Sequence, residues 1–115
     1  MEGSFIKEKM IATRVEMDRI LRSYRRMEKA LRASRSCFSA DYADLDETAV
    51  QAEMYSLRSM VLSLDDPRER IVVYNYYIKG LTLEDCAHLI GVSPRSVCRL
   101  KGRGLENLLI KAQKR

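Results

Sequence analysis

Tryptophan is absent from this 115-residue chain, and proline occurs twice, glycine five times and histidine once. So little proline and glycine, with no low-complexity tract, excludes a collagenous chain and argues for an ordered one. The longest strongly apolar run is Ile71-Val72-Val73-Tyr74, far short of the roughly 20 residues that cross a bilayer. The three cysteines, Cys37, Cys86 and Cys98, form no C-x-x-C pair, and only His88 stands beside them as a further metal ligand. That spacing excludes the usual zinc sets and points to free thiols in a reducing compartment. No paired-carboxylate motif, nucleophile–base pair or phosphate-cradling glycine loop occurs. No catalytic residue, metal or cofactor is therefore expected, and the chain does not read as an enzyme. The opening Met1–Lys7 lacks an apolar core and a cleavage signature, so a soluble cytoplasmic domain with no membrane partner is expected.

What is present is helix-forming sequence with unevenly distributed charge. The formal net charge is +5, with 32% of residues charged. The basic residues concentrate in 1–35 and 67–115, and the acidic ones in 36–66, where Arg58 stands alone against seven Asp and Glu. Two basic ends around an acidic middle suit a protein that presents selected surfaces to a polyanion, or equally a set of solvated helix faces.

From Phe5 to about Ala33, Ile6, Met10, Thr13, Met17, Ile20, Tyr24, Met27 and Leu31 alternate in steps of four and three. This seven-residue repeat, widened by Ile11, Val15 and Leu21, predicts one long helix of about 45 Å. Its seam could pack on its own domain or pair with another chain in a homodimer. Its polar faces carry Arg14, Arg19, Arg22, Arg25, Arg26, Lys29 and Arg32, which could touch phosphates or remain solvated with pairs such as Glu28–Arg32. Residues 34–46 read as a connection anchored by Cys37 and Phe38. Asp46 is the expected cap of a second helix with Val50, Met54, Leu57, Val61 and Leu64 inward. Pro67 opens the next helix and Gly80 closes it, which outweighs the strand propensity of Ile71–Ile78.

The stretch Leu83–Leu100 is the most informative. Thr82 caps a helix to Ile90, Gly91 turns the chain, and Ser93-Pro94 opens a second helix. Cys86, Ala87, Ile90, Val92, Val97 and Leu100 supply the contact between them. This is the helix-turn-helix pattern, in which the second helix enters the major groove. With Val97 and Leu100 inward, Arg95, Ser96 and Arg99 project outward as base-reading candidates, since an arginine fork can bond guanine O6 and N7. Ser93, Lys101 and Arg103 suit phosphates. Gly102 and Gly104 are expected to let the last helix bend toward Leu105, Leu108 and Leu109.

The segment Leu64–Leu109, through Arg-Glu-Arg-Ile-Val-Val, Tyr-Tyr-Ile-Lys-Gly-Leu-Thr-Leu-Glu-Asp-Cys-Ala and Ile-Gly-Val-Ser-Pro-Arg-Ser-Val-Cys-Arg-Leu, resembles region 4 of sigma-70-family factors. The layout also resembles the short phage and prophage transcription regulators of the ArpU and RinA type. The resemblance implies an all-α chain, with a long N-terminal helix joined to a C-terminal helix-turn-helix bundle. It implies double-stranded DNA as partner, with RNA polymerase as a possible second. By position it places Arg95, Ser96 and Arg99 where that family reads bases, and Thr82 where a helix N-terminus meets a phosphate. Glu and Gln usually stand where this chain has Arg95 and Arg99, so the ordinary promoter −35 sequence is not the expected target. The chain has no room for region 2 and should not act as a complete sigma factor. The expected organisation is 1–64 as a helical arm or interaction region and 65–115 as the DNA-binding domain. The alternative is a helical adaptor that docks on RNA polymerase or another protein without reading DNA.

Overall fold

A computed structural model describes residues 13–36 and 46–113. Among these residues there are five helices and no strand, so the fold is all-α. They are α1 (Arg14–Ser36), α2 (Glu47–Leu62), α3 (Pro67–Val73), α4 (Leu83–Ile90) and α5 (Pro94–Gln113). Most boundaries follow from local chemistry. Asp46 accepts from the Ala49 N–H and starts α2, and Asp66 accepts from the Arg68 N–H ahead of Pro67.

Two boundaries differ from expectation. Thr13 does not lie on the apolar seam. Its hydroxyl accepts from the Glu16 N–H at 3.2 Å, and its own N–H donates to the Glu16 carboxylate at 3.3 Å. That is a capping box, so α1 starts there and spans about 35 Å rather than about 45 Å. Beyond Val73, α3 widens into a π-helical turn, Tyr74–Ile78, in which the Lys79 N–H reaches the Tyr74 carbonyl. The Asn75 side-chain amide donates to the Ile71 carbonyl at 2.7 Å. That acceptor would otherwise serve the regular ladder, and a side chain inserted into the ladder is a recognised cause of such widening.

The interior forms two clusters. The larger takes Met17, Ile20, Leu21, Tyr24 and Leu31 from α1, Met54, Leu57 and Val61 from α2, Val73, Tyr77 and Ile78, and Leu105 and Leu108 from α5. The smaller holds Val72, Cys86, Ala87, Val97 and Leu100. Val72 and Val73 are consecutive, so α3 is the wall shared by both. The seam of α1 from Met17 to Leu31 thus packs on the chain's own core. Val15, expected to widen that seam, is instead 65% exposed. Ile6, Met10, Ile11, Cys37 and Phe38 lie outside the described residues.

Where α5 crosses α3, Gly104 is buried, and a Cβ there would lie 2.6 Å from Val73 Cγ2. Close approach, rather than the expected bend, is what this glycine provides. Beside it Glu69 is only 3% exposed. Asn107 donates to its Oε1 at 2.7 Å and Arg103 Nε lies 3.5 Å from Oε2, so the buried charge is partnered.

Candidate nucleic-acid interface

The helix-turn-helix is assembled from three local devices. At the start of α4, Thr82 Oγ1 accepts from the Asp85 N–H at 3.0 Å while the Thr82 N–H donates to the Asp85 carboxylate at 3.4 Å. At its end Gly91 takes a left-handed conformation, φ 71°, and the N–H groups of Gly91 and Val92 both reach the Ala87 carbonyl. A Cβ at Gly91 would meet nothing within 4 Å, so it is the backbone angle and not crowding that favours glycine there. Ser93 Oγ then accepts from the Ser96 N–H at 3.2 Å ahead of Pro94, which opens α5. Val97 and Leu100 turn inward onto Cys86, Ala87 and Val72. Burial pushes the Cys86 thiol up, with the nearby Asp85 carboxylate adding to it, which fits an inert core residue.

With the inner face fixed, the outer face of α5 follows. Arg95 and Arg99 are exposed one turn apart, and neither has an ion-pair partner among the described residues. Ser96 is half-buried, and its hydroxyl accepts from Ser93 Oγ at 3.2 Å. Thr82 and Ser93 are exposed at the first turns of their helices. Lys101 is half-buried on the flank of α5, its Nζ 4.7 Å from the centre of the Tyr76 ring. Arg103 is on the opposite flank, where Glu69 and, at 3.9 Å, Asp66 hold its guanidinium. The structure therefore keeps Arg95, Ser96 and Arg99 on the first turns of α5, turns Lys101 to the flank that meets Tyr76 and draws Arg103 toward α3. His88 and Cys98 are exposed.

One group of interacting residues escapes sequence reasoning. Asp18 and Arg22 of α1 meet Tyr76 and Tyr77 of the π turn. The Tyr77 hydroxyl donates to Asp18 Oδ1, Arg22 Nε donates to Asp18 Oδ2 at 2.8 Å, and Arg22 Nη2 donates to the Tyr76 hydroxyl at 3.3 Å. The two rings stand edge to face, 4.9 Å between centres. Burial pushes the Asp18 carboxyl up, but the hydrogen bonds from Tyr77 and Arg22 outweigh it and hold it below the usual carboxylate range. Burial and the Asp18 carboxylate both push the Tyr77 phenol well above its ordinary value. The i,i+4 spacing of Asp18 and Arg22 is visible in the sequence, but their partners arrive from more than fifty residues away.

This geometry defines an all-α protein whose C-terminal part is a helix-turn-helix. Residues 66–108 match the sequence model of the family Sigma-70, region 4, from the cap of α3 to the last buried leucine of α5. The match supports a sigma-70 region 4-like module. No curated protein and no solved structure matches the chain. Among the described residues no cluster of three His, Cys, Asp or Glu is placed to hold a metal, and no helix is long and apolar enough to cross a membrane.

Proposed function

We propose that the chain is a sequence-specific, double-stranded-DNA-binding regulator of transcription, cytoplasmic and of the phage or prophage kind that the ArpU and RinA regulators represent. The observation that carries this reading is the pair Arg95 and Arg99, exposed and unpaired among the described residues on the open face of the second helix. In the major groove each fork can take O6 and N7 of a guanine, and each good pair is worth about 1–3 kcal/mol of discrimination. Ser96 contributes the third base-facing group. Thr82, Ser93 and Lys101 are assigned to phosphates, which set register without reading sequence. Arg103 ranks last among them, because reaching a phosphate would leave the buried Glu69 carboxylate with Asn107 alone. Residues 65–115 form the reading part and 1–64 the part that supports it or meets partners. Pairing two copies through the described seam of α1 would require removing Met17, Ile20, Leu21, Tyr24 and Leu31 from the core.

Selection of bound duplexes from a random pool at near-physiological salt tests the reading. Enrichment of one motif is expected. Binding that fades with salt and enriches nothing would contradict it. A second reading, an adaptor that docks on RNA polymerase, draws on α2. Its exposed residues, Thr48, Ala49, Gln51, Ala52, Tyr55, Ser59 and Leu62, include no charge. A stable complex with purified polymerase and no preference among duplexes would favour it.

A further inference from the structure

The assignment of Lys101 and Thr82 to phosphates leaves a gap, since they stand on different helices. Helix α1, which lies outside the segment matched to the family, fills that gap with basic side chains. At its first residue, Arg14 Nη1 lies 3.5 Å from the Gly102 carbonyl, and a Cβ on Gly102 would come within 3.0 Å of it. Gly102 is one turn beyond Arg99, so Arg14 lays a third guanidinium at the end of the Arg95–Arg99 row. Two turns along α1, Arg22 lies over the same Tyr76 ring that Lys101 covers, 5.6 Å from its centre. One turn further, Arg25 rests against the backbone of the α3–α4 turn. A Cβ on Gly80 would be 2.7 Å from its Cζ, and Gly80 is two residues from Thr82. Arg26 lines the same open notch.

These cations form an arc along one side of the helix-turn-helix, from its reading row to the start of α4. Three of the four acids along it already have partners. Asp18 is bonded to Arg22 and Tyr77, Asp85 caps α4, Glu28 pairs with Arg25 at 2.9 Å, and Glu84 lines the notch. The Arg25–Glu28 pair is solvent-facing and worth little, so Arg25 can share its charge with a phosphate. Arg14 and Arg26 have no ion-pair partner among the described residues.

We infer that Arg14, Arg25 and Arg26 bind backbone phosphates of the same duplex that α5 reads, making α1 a second, sequence-independent DNA contact. This rests on the DNA-reading proposal above. Each phosphate neutralised releases counterions and adds about 0.9 to the slope of log affinity against log salt.

The test is a salt titration of the full chain on its selected duplex, with Arg14→Gln, Arg25→Gln and Arg26→Gln combined. The slope should fall by about 0.9 per lost contact, up to about 2.7, with base preference unchanged. The corresponding Arg→Lys variant should keep most of the slope. Lys111→Gln, about 15 Å along α5 from Lys101, should keep all of it. Should the triple variant lose its helical signal, Arg26→Gln alone carries the test, with an expected loss of about 0.9. An unchanged slope in a chain that still binds its motif overturns this inference and leaves the DNA-reading proposal standing. An altered base preference overturns the phosphate assignment. Absence of specific binding by the unaltered chain overturns the reading and the inference together.

Discussion

The two ends of α5 belong to one unbroken helix and do opposite things. From Pro94 to Leu100 it buries only Val97 and Leu100, against Cys86 and Ala87 of α4 and Val72 of α3, and leaves Arg95, Cys98 and Arg99 open. From Lys101 onward it buries Gly104, Leu105 and Leu108 among α1, α2 and α3. The difference comes from what lies across each end and not from helix propensity. Opposite the first half stand one short helix and the single side chain Val72 of α3; opposite the second stand α1 and α3, with a glycine contact that draws α3 close. The proposed reading role needs side chains held in place, which requires the far end of α5 to be fixed, and Gly104, Glu69 and Leu108 fix it.

That comparison is tested hardest where the held end is loosened. Leu108→Ala removes a fully buried side chain from the larger cluster and should cost about 3 kcal/mol of stability. A single cooperative thermal transition, shifted down, is expected. A second transition retaining the α4–α5 helical signal would show that the two ends fold separately. Thr82→Ala acts at the other end, removing the α4 cap at a cost of about 1 kcal/mol, measurable by denaturant titration. Base preference should survive it, since Arg95 and Arg99 start from a different cap.

The smallest effect is one of pH. The Tyr77 phenol is raised, so its contribution is complete below the free tyrosine value of about 10 and is lost as pH climbs from there. Thermal midpoints should fall above about pH 10. Tyr77→Phe should flatten that fall. Asp18 is lowered, so its contribution runs the other way, lost as pH drops through the acid range below about 3.9.

The sequence is most informative where a boundary is decided by neighbours in the chain. Asp46, Asp66-Pro67, Gly80, Thr82, Gly91 and Ser93-Pro94 each stop or start a helix through bonds or angles within four residues. Thr13 and Glu16 obey the same rule, and the apolar repeat running through them masked a legible capping box. Residues whose role depends on a distant partner were not legible. Glu69, inside Arg-Glu-Arg, reads as surface charge until Asn107 and Arg103 arrive to partner it. Gly104 reads as a bend until Val73 is set against it. Periodicity marks the α1 seam as apolar yet cannot say whether α5 or a second chain covers it, and it counts Val15 inward although that side chain is 65% exposed. The outward direction of Arg95 and Arg99 was readable because the inward direction of Val97 and Leu100 fixes it.

The most direct measurement of the central claim is fluorescence anisotropy of the unaltered chain and of a double variant, Arg95→Ala with Arg99→Ala. Each is titrated with the selected duplex and with a scrambled one, alongside thermal melts. The melting temperature should be unchanged and the double variant should lose about 1–3 kcal/mol per arginine on the selected duplex, so that it binds this duplex no better than the scrambled one. Equal preference for the selected duplex in both proteins would contradict it and place the reading surface elsewhere on the molecule.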